Sequence, residues 1–121
     1  MNAIKPPKVR LIAFILAVTF NPESVVLAAP PAANALPTGA QITAGAGAIS
    51  QTGNVMNIQQ NTARMITNWQ TFNVGQNAKV NFLQPSASAV SLNRVLSADP
   101  SQILGQLNAN GVVVLLNPNG V

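Results

Sequence analysis

The chain has no cysteine, no histidine and no tyrosine, and only two acidic residues among its 121. Without cysteine there is no disulfide framework, thiol nucleophile or thiolate-held metal. Without histidine the serines have no imidazole base to activate them. The acids are Glu23 and Asp99, too far apart in sequence to suggest the carboxylate pair of a glycoside hydrolase, and one aspartate holds calcium poorly. These absences argue against an enzyme and require no cofactor or metal.

The formal charge of +4 suggests a polyanionic partner, but half of the basic residues, Lys5, Lys8 and Arg10, fall in the first ten positions. An unbroken apolar run, Leu11 to Phe20, follows them and ends at Asn21-Pro22. Basic residues, a short apolar stretch and a small-residue tail have the form of a helical secretory signal peptide, handled by the Sec machinery and signal peptidase. A spanning helix needs about twenty apolar residues, so no stable membrane insertion is expected. Ala33-Asn34-Ala35 is a small-x-small cleavage site, placing the cut after Ala35; Val26-Leu27-Ala28 is the alternative, nearer the apolar run. Residues 1–35 thus read as signal peptide plus a Pro/Ala connector, extended and mobile, and residues 36–121 as one domain. That domain keeps Arg64, Lys79 and Arg94 against Asp99, too few and scattered to track phosphates, so no nucleic acid is expected. At 121 − 35 = 86 residues without disulfides it is marginal alone.

From Gln41 onward apolar and polar residues alternate with period two. The alternation predicts strands with Met56, Ile58, Phe72, Val74, Val80, Phe82, Val90 and Leu92 on an inner face. The phase slips between Ile66 and Phe72, which predicts a bend or bulge beside Trp69. Asp99-Pro100-Ser101 reads as a turn followed by a strand over Gln102 to Leu107. Val112 to Leu116 is apolar at every position, as in a strand covered on both faces. Turns are expected at Gly53-Asn54, Asn110-Gly111 and Asn117-Pro118-Asn119-Gly120, the last suiting type I. Asparagine and glutamine after position 35 number 12 and 9, against four charged residues. Amides hydrogen-bond in register when layers stack, whereas stacked charges repel, so the composition suits a solenoid of short strands.

Five segments in order carry a resemblance: Ile66 to Gly75, Val80 to Ser86, Leu92 to Val95, Asp99 to Gly105 and Asn117 to Val121. Together they resemble the start of two-partner secretion domains, the filamentous-haemagglutinin-type N-terminal domains of large exported adhesins, haemolysins and contact-dependent inhibition toxins. The resemblance implies an all-β fold, the start of a right-handed parallel β-helix with N-terminal capping strands. It further implies passage through the periplasm of a Gram-negative cell to the surface or medium. The implied partner is an outer-membrane two-partner transporter with periplasmic peptide-binding modules. Family domains run on for many more coils, so the chain reads as the front of a longer protein, its last strand offering an edge to the next coil.

Asn117, Pro118, Asn119 and Gly120 are candidates for a secretion motif, with a coil-closing turn as the plainer reading. Asn93 and Arg94 are a second candidate contact, against a salt link from Arg94 to Asp99. Trp69 and Phe72 read as core or cap, and Gln84-Pro85 as a strand terminator. Two other functions compete with secretion guidance: a free-standing carbohydrate- or host-binding adhesin, and the front end of a contact-dependent toxin.

Overall fold

A computed structural model describes residues 13–17 and 29–121 of the protein. The described residues form nine strands: β1 Ala13–Ala17, β2 Gln41–Ala44, β3 Gly47–Thr52, β4 Val55–Gln60, β5 Arg64–Trp69, β6 Lys79–Leu83, β7 Val90–Val95, β8 Gln106–Ala109 and β9 Val112–Asn117. They make two sheets, ordered β1-β9-β7-β5-β2 and β3-β4-β6-β8. The all-β class therefore holds.

From β4 onward the chain passes alternately between the two sheets. In one, β4, β6 and β8 pair in parallel, with Val55, Lys79 and Gln106 in register. In the other, β5, β7 and β9 pair in parallel, with Arg64, Val90 and Val112 in register. The offsets are 79 − 55 = 24, 106 − 79 = 27, 90 − 64 = 26 and 112 − 90 = 22 residues. Corners of unequal length absorb these differences, which is why no fixed sequence period is visible. Ahead of the parallel part, β3 and β4 form an antiparallel hairpin and β2 pairs antiparallel with β5. Gly53 turns the hairpin at φ 58°, the left-handed first position that a II′ turn requires.

The buried cluster joins the inner faces of both sheets. Met56, Val80 and Leu107 stack in one column, and Ile58, Phe82 and Ala109 in the next. Trp69 and Phe72 meet edge to face at 5.3 Å beside them.

Several expectations are corrected. In β7 it is Ser91, Asn93 and Val95 that point inward, while Val90 and Leu92 are half-buried on the outer face. Val90-Ser91-Leu92-Asn93 does alternate, but Asn93 is held inside by the Trp69 indole, and the rest of the strand follows its parity. β9 is not equally covered on both faces: Val113 and Leu115 are buried, and Val112, Val114 and Leu116 half-buried. Phe72 and Val74 are buried as expected, but that stretch contributes isolated bridges instead of a strand. The phase slip is a bend: β5 ends at Trp69 and the chain turns before Phe72.

Residues 13–17 depart from the expected signal-peptide helix. This segment is a strand, in parallel register with Val113 to Asn117 of β9, where a helix was expected. An edge strand leaves backbone donors and acceptors bare, and a short apolar segment satisfies them by pairing. The remainder of residues 1–28 lies outside the described residues.

The Pro/Ala connector is fixed in place. The carbonyls of Ala33 and Ala35 accept from the N–H groups of Asn77 (2.8 Å) and Gly75 (2.9 Å), and Leu36 enters the core. Any side chain at Gly75 would collide with the carbonyl oxygens of Ala32 and Ala33, so glycine permits this close approach.

Candidate functional site

Asn117 ends β9 with its side chain fully buried, on the inward side of the strand with Val113 and Leu115. Its Nδ2 donates to the Asp99 carbonyl at 3.0 Å and to Ser101 Oγ at 2.9 Å. Its Oδ1 accepts from the N–H of Asn119 at 2.9 Å, and its carbonyl from the N–H of Gly120 at 3.0 Å. The second bond closes the four-residue turn expected from the sequence, with Gly120 at φ 109°. Asn119 Nδ2 donates to the Ser97 carbonyl at 2.8 Å, and the Gly120 carbonyl accepts from the N–H of Ser101 at 2.9 Å. The Asn-Pro-Asn-Gly segment is thus a clip that ties the 97–101 loop to the end of β9. Pro118 and Asn119 face solvent on its outer side.

Asn93 and Arg94 are neighbours pointing opposite ways. Asn93 is fully buried; its Oδ1 accepts from Trp69 Nε1 at 2.9 Å, and its Nδ2 reaches Ser91 Oγ at 3.2 Å and the Val114 carbonyl at 3.3 Å. It joins β5, β7 and β9 from inside the coil. Arg94 is exposed on the outer face, in register with Asn68 and Leu116. The expected salt link to Asp99 is not formed: among the described residues, Asp99 bonds through its backbone, its N–H to Ser97 Oγ and its carbonyl to Asn117. Of the candidate motif residues, Arg94, Pro118 and Asn119 are exposed in the folded chain.

Two amide ladders escaped residue-level reading. On the outer face of the four-stranded sheet, Asn108 Nδ2 donates to Asn81 Oδ1 at 3.1 Å and Asn81 Nδ2 to Asn57 Oδ1 at 3.0 Å. Inside, Gln84 Nε2 donates to Gln60 Oε1 at 3.1 Å and to the Val112 carbonyl at 3.0 Å, crossing between the sheets. The signal for the outer ladder was present as asparagine flanked by apolar residues: Met56-Asn57-Ile58, Val80-Asn81-Phe82 and Leu107-Asn108-Ala109. Gln84 is therefore more than a strand end, since its amide bonds groups from three segments. Among the described residues, no group of three or more acidic, histidine or cysteine side chains gathers to hold a metal.

The family model for the TPS (two-partner secretion) secretion domain matches residues 33–121. A heme/hemopexin-binding protein of Haemophilus influenzae (strain Rd) is 40% identical over 114 residues, 94% of this chain and 12% of that protein. A second heme/hemopexin-binding protein of Haemophilus influenzae is 46% identical over 70 residues, 58% of this chain and 8% of its length. Among solved structures, the crystal structure of the HMW1 secretion domain from Haemophilus influenzae superposes with a TM-score of 0.65 at 37% identity. That match covers 69% of this chain and 22% of the solved one. The chain thus spans about an eighth of the longest-matching relative, and its five ordered motifs sit on an alternating parallel scaffold shared with a secretion domain: it belongs to the TPS secretion domain family.

Proposed function

We propose that this chain is the secretion-guiding module of a large exported protein, recognised by an outer-membrane two-partner transporter. The observation that carries the reading is the family match over residues 33–121, nearly everything beyond the leader. In this reading the unfolded segment docks on the transporter's periplasmic modules by strand addition. Main-chain hydrogen bonds supply affinity and alternate side chains supply register. In the unfolded segment Asn93, Arg94 and Asn117 to Gly120 are all open to side-chain contact, whatever their burial after folding.

Once outside, the domain nucleates a right-handed parallel β-helix. Each new coil lays one strand beside β8 and one in the place that β1 occupies against β9. The inside of the coil favours late folding. Thr67, Ser91, Asn93 and Asn117 all face inward, and Thr67 Oγ1, Asn68 Oδ1 and Gln84 Oε1 are buried without a partner among the described residues. Each unpaired group costs about 1–3 kcal/mol, so few coils fold firmly by themselves and stacking more of them tips the balance.

Binding of heme or hemopexin is not carried over, because the match covers 12% of that relative. The test is co-expression with a cognate transporter. Transporter-dependent appearance of the chain in the medium is expected; equal release without the transporter, or glycan binding independent of it, would favour a free-standing adhesin.

A further inference from the structure

We infer that the precursor is cut between Ala28 and Ala29, and that residues 29–36 stay with the exported protein as a brace. Two small-x-small sites compete in the sequence, Val26-Leu27-Ala28 and Ala33-Asn34-Ala35. The structure separates them by what each cut would remove. A cut after Ala35 takes away the two carbonyls that accept from Asn77 and Gly75, and makes the buried Leu36 a charged chain terminus. It also removes the Ala29 carbonyl, which accepts from Gln102 Nε2 at 3.0 Å across 73 residues of sequence. The family match begins at residue 33, ahead of that cut. A cut after Ala28 spares all of these bonds and lies nearer the end of the apolar run at Phe20.

The second consequence is electrostatic. Hydrolysis adds water across the Ala28–Ala29 bond, leaving a carboxylate on the departing leader and an α-ammonium on Ala29. Ala29 lines an open cleft of about 250 Å³ together with Pro31, Asn73, Asp99, Pro100 and Gln102. Asp99 is the only acidic side chain beyond residue 28, so the new cation shares this cleft with the one anion that complements it. The same cut detaches Ala13–Ala17 and bares the outer edge of β9.

The test is intact-mass analysis of the full chain after export in a Gram-negative host, alongside Ala28→Arg and Ala35→Arg. A bulky charged residue immediately before the scissile bond blocks signal peptidase. We expect the wild-type product to begin at Ala29, Ala28→Arg to reduce that species at least tenfold, and Ala35→Arg to leave its start unchanged. A product beginning at Leu36, a chain left uncut, or blockage by Ala35→Arg in place of Ala28→Arg would each overturn the assignment. The masses are read whether or not the variants fold.

Discussion

On the four-stranded sheet the inward residues are Met56, Ile58, Val80, Phe82, Leu107 and Ala109, and the outward row is the Asn57-Asn81-Asn108 ladder. On β5, β7 and β9 the inward positions include Thr67, Ser91, Asn93 and Asn117, while Ile66, Leu92 and Val114 form a half-buried row outside. Both sheets alternate with period two, but the five-stranded one partly reverses the sense of the alternation. The difference teaches that period two fixes a strand and its two faces without saying which face is inside. That choice belongs to whichever side chain has the strongest partner. In β7 it is Asn93, through Trp69; in β9 it is Asn117, through the 97–101 loop.

The comparison can be broken most sharply by truncating one large residue on each sheet. Phe82→Ala should lower the opening free energy of β6 by about 3–5 kcal/mol, because it empties a fully buried column. Leu92→Ala should cost about 1 kcal/mol or less, since Leu92 lies on the outer face. Local hydrogen exchange read by mass spectrometry compares the two directly; equal losses would show that the reversal in β7 is wrong. Next in size is Asn93→Ala, expected to cost about 2–3 kcal/mol in the same measurement. It leaves the Trp69 indole N–H buried without its acceptor. Asn117→Ala should cost about 1–2 kcal/mol, with faster exchange confined mainly to residues 97–101 and the end of β9, because it opens the clip. Asn81→Ala, on the outer ladder, should fall below about 1 kcal/mol, as its amide is half-buried and water can replace its partners.

Much of the scaffold was legible because it is local. Gly53-Asn54 announced a turn, Asn-Pro-Asn-Gly the closing turn, and the alternating runs the strands β4, β6 and β7. The hairpin's first strand was not legible, since Gly47-Ala48-Ile49-Ser50 carries little apolar signal and is mostly exposed. The parity of β7 was misread because a buried asparagine is recognisable only once the tryptophan 24 residues earlier is known to lie beside it. The fixed connector was hidden for a similar reason: Ala29 to Leu36 has no period of its own and is held by Gly75, Asn77 and Gln102 from other coils. Of the candidate site, the sequence picked out Asn117 to Gly120 and Arg94 but could not divide them into buried clip and exposed surface. That division depends on which way the end of β9 faces.

The fold rests on parallel strands stacked in register, and the absence of cysteine gives a clean background for measuring it. Cysteines placed at Asn81 and Asn108 should be joined rapidly by a short bifunctional thiol reagent, since the two positions are register partners on the outer face. Cysteines at Asn81 and Leu107, displaced by a single residue, should stay unlinked because Leu107 points inward. Equal linking of the two pairs, or preference for the second, would contradict the stacked-coil account.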